Sequence, residues 1–408
     1  MKRPEWIREV IEGGGQKAEC DDLVWAALTK YRKNKESPEK ANKSLRNLTI
    51  ILDRDPRWDG DVVYNDFARC IEVHGERLTD DIAGEIAIWT GDHYGFEPST
   101  DLVQKAVLVV ARRHVYHPVR EWLNGLEWDG EKRLGRLAID YLGAEDSELH
   151  SEIGIRWMIS AVARAMSPGC KVDTCVILVG AQGIYKSTAF RVLAGKEWFS
   201  DTPVPMGKKD ALEQIQGVWV YELAELDSVR RAEANSVKAF ISALVDRFRP
   251  SYGRNAEEFP RQVVFVGSTN EREFLTDATG SRRFWVLEVK RIDIGCIRRD
   301  REQLWAEAAN MYRDGERWWL DSTSEKALIE ASDRFQQSDS WADIIADWLE
   351  NRHGFVTSTD ILEKALGFED TSKHTRPAQM RVASIMSALG WVKCREKGSY
   401  GPRGYRHE

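Results

Sequence analysis

One stretch, Val172 to Asp201, restricts what this chain can fold into more than any other. Val176-Ile177-Leu178-Val179 is a short apolar run of the kind a buried parallel strand shows. It leads into Gly180-Ala181-Gln182-Gly183-Ile184-Tyr185-Lys186-Ser187-Thr188, after which Phe190, Leu193 and Ala194 recur at helical spacing. Strand, glycine loop, Lys-Ser and helix in this order predict a phosphate-binding P-loop. Glycines let backbone N–H groups curl around phosphate oxygens, and the N-terminus of the following helix adds a favourable dipole. Lys186 is expected to reach β- and γ-phosphates and Ser187 to hold Mg²⁺. The pattern G-x-x-x-x-G-K-[ST] is broken once, where Tyr185 stands in place of the second glycine. If that position needs positive φ, a tyrosine there costs about 1–2 kcal/mol. Besides a working P-loop, two alternatives stay open: a loop that binds nucleotide but hydrolyses it poorly, and a chance glycine loop.

The chain has 408 residues, room for two or three domains, and its 42% hydrophobic content supports real cores. It contains no apolar run of membrane-spanning length and no signal-peptide pattern at Met1-Lys-Arg-Pro-Glu-Trp6. A soluble, cytoplasmic protein without membrane contact is expected. Six cysteines are scattered without a Cys-x-x-Cys pair and read as reduced thiols. His114 and His117 lack a neighbouring cysteine or carboxylate cluster, and Asp53, Asp55 and Asp59 read as turn and helix caps rather than metal ligands. A net charge of −7 excludes a globally basic nucleic-acid binder, so any such contact must come from local basic patches.

Three regions follow. Residues 1–145 read as an α-rich accessory domain, with helices over Leu23–Tyr31, Ile82–Trp89 and Leu102–Tyr116 and no catalytic constellation. Residues 146–335 carry the P-loop. Glu148 to Met166 is an amphipathic helix stopped by Ser167-Pro168-Gly169. Val218-Trp-Val-Tyr-Glu222-Leu-Ala-Glu225 is an apolar strand ending in acids. Glu222 and Glu225 are the candidates to hold Mg²⁺ and to polarise an attacking water, in either order. Ala232 to Leu244 is a helix carrying Lys238. Asp246 to Arg261 follows as a hairpin with a basic tip, where Arg249 and Arg254 either contact nucleic-acid phosphates or are simply solvated. Gln262 to Asn270 is a third buried strand whose terminal Asn270 can orient water or cap the next turn. Arg282 and Arg283 precede a fourth apolar strand and either act on a neighbour's transferring phosphate or lie on the surface. Residues 336–408 give three short helices and two strands, a winged-helix outline. From 371 onward eight Lys/Arg face two acids, which suits a nucleic-acid surface, although such modules also contact protein.

With these pieces in order the chain resembles the virulence-associated E family of phages, prophages and phage satellites. The motifs that carry the resemblance run from about Ile50 to Trp285. They include Tyr116-His-Pro-Val-Arg-Glu-Trp-Leu123, Leu126-Glu-Trp-Asp-Gly130, Ser167-Pro-Gly169, Leu178-Val-Gly-Ala-Gln-Gly183 and Trp198-Phe-Ser-Asp201. Further along lie Lys209-Asp-Ala-Leu-Glu-Gln214, Glu222-Leu-Ala-Glu-Leu226, Lys238-Ala-Phe-Ile-Ser242, Asp246 to Arg254, and Gly280-Ser-Arg-Arg-Phe-Trp285. The resemblance implies an α/β fold with a helicase superfamily 3-like P-loop ATPase core of the AAA+ type. It implies ATP and Mg²⁺ as cofactors, Lys186 and Ser187 in Walker A, Glu222 and Glu225 in Walker B, and Asn270 on the sensor strand. Lys238 to Arg254 would carry the hairpin that faces DNA, and Arg282 or Arg283 the arginine finger. A homo-hexamer moving on single-stranded DNA in the replication of a mobile element, inside a bacterial host cell, is the expected activity. Residues 1–145 hold no primase motif, so any primase would be a separate chain. The alternative is a nucleotide-gated DNA-binding ring that hydrolyses little, because the family's Gly-Lys-Ser is Tyr185-Lys-Ser here.

Overall fold

A computed structural model of the protein describes residues 22–33, 35, 40–203, 209–223, 231–249, 256–271, 282–332, 335, 340–350, 352, 354–396 and 401–407. These fall into two compact units, one drawn from Met1–Glu271 with Thr279–Ser332 and the other mainly from Asp333–Glu408.

The first unit opens with α1 (Asp22–Ala27) and the two-residue strands β1 (Lys30–Tyr31) and β2 (Lys40–Ala41). Next come α2 (Leu45–Arg54), β3 (Val62–Asn65), β4 (Cys70–Val73), β5 (Glu76–Arg77), α3 (Asp80–Tyr94), α4 (Thr100–Ala111) and β6 (Val115–Tyr116). Serine or threonine caps α2, α3 and α4: Ser44, Thr79 and Ser99 each accept from a backbone N–H of the first turn. The helices expected in this region are present, shorter or longer by a few residues. The sequence did not show the four-stranded sheet, ordered β5-β4-β3-β6, on which they pack. Its strands have two to four residues, and β3 pairs with β6 in parallel across the two intervening helices. No alternation of that length stands out against helical sequence. Asp53 and Asp55 hold the helices in place. Asp53 pairs with Arg113 at 2.8 Å, and Asp55 accepts from Arg57 at 2.9 Å and from the Tyr94 hydroxyl at 2.6 Å.

Then follow α5 (Pro118–Gly125) and the long α6 (Glu148–Met166). The sequence marks one apolar face on α6, yet the structure buries almost its whole circumference from Ile153 to Ala165. It lies against a five-stranded parallel sheet ordered β13-β7-β12-β9-β8. The strands are β7 (Cys175–Val179), β8 (Phe199–Ser200), β9 (Val220–Leu223), β12 (Val264–Thr269) and β13 (Phe284–Glu288). Every β7 residue is buried, as a parallel strand covered on both faces must be. Between them come α7 (Lys186–Ala194), α8 (Lys209–Gln214), α9 (Arg231–Ser242) and the antiparallel pair β10 (Val245–Phe248) and β11 (Glu257–Pro260). Helices α10 (Ile294–Arg313) and α11 (Ser322–Ser332) complete the unit. Trp122, Trp198, Trp219 and Trp305 cluster in its core, with Trp219 and Trp305 centroids 4.2 Å apart. Packing therefore accounts for much of the high tryptophan content.

In the second unit α12 (Ser340–Leu349), α13 (Ser358–Asp360) with the following π-turn Ile361–Ala365, and α14 (Arg376–Ala388) surround a small core. Strands β15 (Val392–Arg395) and β16 (Arg403–Arg406) pair as expected. A third strand absent from the sequence reading, β14 (Phe355–Thr357), adds to β16. Thr357 and Asp360 form a capping box that starts α13 directly from β14. No described helix is long and apolar enough to cross a membrane.

Candidate functional site

The parallel sheet delivers its chemistry at one end. β7 ends at Val179 and passes into Gly180, whose backbone N–H donates to the Thr269 carbonyl at 3.2 Å. A Cβ on Gly180 would lie 2.4 Å from the Val289 carbonyl oxygen, so packing beside β13 admits only glycine here. Gly183 takes a φ of +84°. Tyr185 takes φ 69° and ψ 32°, left-handed backbone that favours glycine, with its ring 64% exposed. The loop therefore keeps the glycine geometry although the glycine is missing.

Lys186 opens α7 and is buried. Its ammonium donates to the carbonyls of Gly180 at 2.8 Å and Ala181 at 2.9 Å, and to Asn270 Oδ1 at 2.8 Å. Asn270 follows β12, which lies between β7 and β9, so strand order alone puts it beside the loop. Ala181, Gln182 and Gly183 are exposed, while Ile184 and Thr188 are half-buried. Behind the lysine, Ser187 Oγ donates to Glu222 Oε1 at 2.8 Å, and Ser268 Oγ donates to the same oxygen at 2.6 Å. Glu222 is 2% exposed on β9. Burial raises its carboxyl above the ordinary range, against the pull of the two serine hydrogen bonds. Its second oxygen, Oε2, has no hydrogen-bond partner among the described residues. A buried carboxylate with a bare oxygen next to a serine hydroxyl is a hard oxygen donor set, which fits Mg²⁺.

The rear of α7 is fixed by α10. Arg301 donates to the carbonyls of Leu193 and Ala194 at 3.0 Å each, and Trp305 Nε1 donates to Leu193 at 2.8 Å. These groups satisfy carbonyls that the helix end leaves unpaired. Neither Arg301 nor Ser268 was singled out in the sequence. Ser268 had one available signal, the polar Ser-Thr-Asn ending of an otherwise apolar buried strand.

The remaining candidates lie elsewhere. Arg282 and Arg283 precede β13, whose first residue pairs with Cys175 at the start of β7. They therefore lie at the opposite end of the sheet from the glycine loop and do not meet Lys186 within one chain. Arg283 Nε donates to Ser242 Oγ at 3.0 Å, and Arg282 is exposed. Lys238 is only 9% exposed on α9, whereas Arg249 is exposed at the end of β10. The hairpin base is locked by Arg261, which pairs with Asp246 and also donates to the Phe240 carbonyl. Glu225 and Arg254 lie outside the described residues.

The glycine loop, the Lys-Ser helix start and the buried glutamate all fall inside residues 123–337, which match the model of the virulence-associated protein E-like domain. That match takes in more than half of the chain, and the chain belongs to this family. Among solved structures, "The apo structure of NrS-1 C terminal region (305-718)" is similar at 14% identity and a TM-score of 0.42, covering 84% of this chain and 94% of that one. Two A-form apo structures of the same region show 15% and 12% identity and TM-scores of 0.40 and 0.37. They cover 70% and 95% of this chain, and 77% and 97% of theirs. No curated protein matches.

Proposed function

We propose that the protein is an ATP-driven helicase or translocase that acts on single-stranded DNA during replication of a phage, prophage or phage satellite. The convergence of Lys186, Ser187, Glu222, Ser268 and Asn270 at the glycine loop carries this reading. Lys186 is the group for the β- and γ-phosphates, and the loop and α7 N–H groups are the phosphate cradle. Ser187 and Glu222 would hold Mg²⁺, which when bound neutralises charge on the phosphate oxygens. Asn270 orients the water that attacks, and Glu225 is the candidate base. To meet phosphate, the Lys186 ammonium exchanges its two loop carbonyls for phosphate oxygens while Asn270 keeps its position on β12. In this reading the core is a P-loop ATPase of the AAA+ type, and the second unit is a winged-helix module. Because Arg282 and Arg283 lie at the far end of the sheet, either could serve only a neighbouring subunit, and such head-to-tail contacts close into a ring, here a homo-hexamer.

ATP hydrolysis with and without single-stranded DNA tests this reading. The wild type is expected to turn over faster with DNA, and Lys186→Ala to lose at least about a hundredfold in rate while staying folded. Equal hydrolysis by Lys186→Ala would refute the site. A second reading, a nucleotide-gated DNA-binding ring with little hydrolysis, is favoured by one observation, the left-handed backbone of Tyr185. Turnover that is absent in the wild type but present in Tyr185→Gly would select it.

A further inference from the structure

The end of the sheet away from the glycine loop holds a cavity of about 480 Å³, lined in part by Arg282 and Arg283, of which the proposed activity asks for only one. Thr174, just before β7, and Trp285 on β13 line the cavity, together with Lys171, Arg282, Trp318-Trp319 and Glu325 of α11. Trp318 is fixed in the wall: its Nε1 donates to the Lys171 carbonyl at 2.9 Å and its ring lies 6.0 Å from Tyr312. Trp319 stands edge-on to Trp318 at 5.3 Å and is 55% exposed. An indole so placed leaves hydrophobic area in water that folding does not need. The cations beside it are weakly engaged. Lys171 meets Asp173 only at 3.9 Å with its side chain 73% exposed, and no carboxylate among the described residues pairs with Arg282.

An open indole face, two available cations and two carboxylates, Asp173 and Glu325, around one cavity fit a particular ligand chemistry. A nucleobase stacks on an indole whatever its sequence. Carboxylates accept from its ring and exocyclic N–H groups, and arginine or lysine meets its phosphate. A purely apolar ligand would leave the charged groups desolvated, and a metal ion would find no reason for the indoles. We infer that this cavity binds a nucleotide unit at a site separate from the glycine loop, with Trp319 as the stacking surface and Lys171 and Arg282 toward the phosphate. The unit could belong to a nucleic-acid strand or be a free nucleotide.

The test uses the full chain carrying Lys186→Ala, so that neither hydrolysis nor the glycine loop's lysine contributes. Two probes are titrated: fluorescein-labelled oligo(dT) of about 15 nucleotides read by anisotropy, and dTMP read by quenching of tryptophan emission. Adding Trp319→Ala is expected to weaken binding about tenfold, the loss of one base stack, while Trp319→Phe stays within about threefold. Adding Lys171→Ala should make the salt dependence shallower by about one phosphate contact. Losses with the oligonucleotide alone assign the site to a strand, and losses with dTMP as well assign it to a free nucleotide. If Trp319→Ala binds both probes within about twofold of its parent at an unchanged melting temperature, or if the parent binds neither, the inference is wrong.

Discussion

Tyr185 is the residue at which local cost and proposed chemistry meet. Its left-handed backbone stands directly before Lys186, whose ammonium is held by the loop carbonyls. Tyr185→Gly removes about 1–2 kcal/mol of backbone strain. Part of that is offset by the greater freedom of glycine in the unfolded chain, about 0.5–1 kcal/mol. A net gain of about 0.5–1 kcal/mol in urea denaturation is expected, together with unchanged or faster hydrolysis. Glu222 gives a second prediction. Burial holds its carboxyl above the ordinary value of 4.5. The folded state therefore binds more protons than the unfolded chain above that value, and stability falls as pH rises through the folded pKa. Glu222→Gln removes the buried charge and keeps an oxygen for Ser187 and Ser268. Its melting temperature should exceed that of the wild type at pH 8, with the difference shrinking toward pH 4.5, while hydrolysis is lost. Parallel melting curves across pH would show that Glu222 is not the titrating group. Both residues were legible in the sequence because they stand at fixed distances from glycines and strand ends. Ser268 was not, since a serine hydroxyl shared between a carboxylate and another serine leaves no spacing to recognise.

At the level of elements, the proposed role of α7 as a phosphate-facing helix requires that its far end be held. Arg301 does this with two hydrogen bonds to Leu193 and Ala194, and its guanidinium lies 4.3 Å from the Trp122 ring. Arg301→Ala leaves the Ala194 carbonyl unpaired, because Trp305 Nε1 still donates to Leu193, and it uncovers an indole. A loss of about 2–3 kcal/mol in urea denaturation is expected, with a larger effect on KM for ATP than on kcat, because the residue touches the helix and not the reacting atoms. An unchanged denaturation midpoint would contradict this assignment. Which elements could be foreseen follows from the same physics. β7, α7, β9 and β12 announced themselves because parallel strands are continuous apolar runs and the helices between them have one strong period. The sheet of β3 to β6 stayed hidden because its order depends on a parallel pairing between β3 and β6, with α3 and α4 between them in the chain. β14 stayed hidden for a related reason: three residues run directly into the cap of α13.

Over the whole first unit, one chain of polar contacts ties the N-terminal sheet to the strand that carries Asn270. His117 caps α5, its Nδ1 accepting from the Arg120 N–H at 3.2 Å. That leaves the proton on Nε2, which donates to Gln262 Oε1 just before β12. Gln262 in turn donates to the Asp66 carbonyl, beyond β3, at 3.2 Å. Gly217, whose Cβ would lie 3.1 Å from Ala68, lets the two parts approach closely. A neutral imidazole is needed, since a second ring proton would have no acceptor and would remove the cap. Burial, aided by the charge of Arg120 and opposed by Gln262 and Asp66, does hold His117 below its ordinary value of 6.5. The unfolded chain then binds more protons than the folded one just below pH 6.5, so this contribution is present above that pH and is lost as pH falls through the folded pKa. His117→Ala should cost about 1–3 kcal/mol at pH 7.5, the penalty for unsatisfied buried partners, and should flatten the loss of stability as pH falls below 6.5. Calorimetry over that range checks both. Wild type and variant losing stability in parallel on acidification would mean that the imidazole does not control the joint, and that the N-terminal sheet and β12 are held by packing around Phe67 instead.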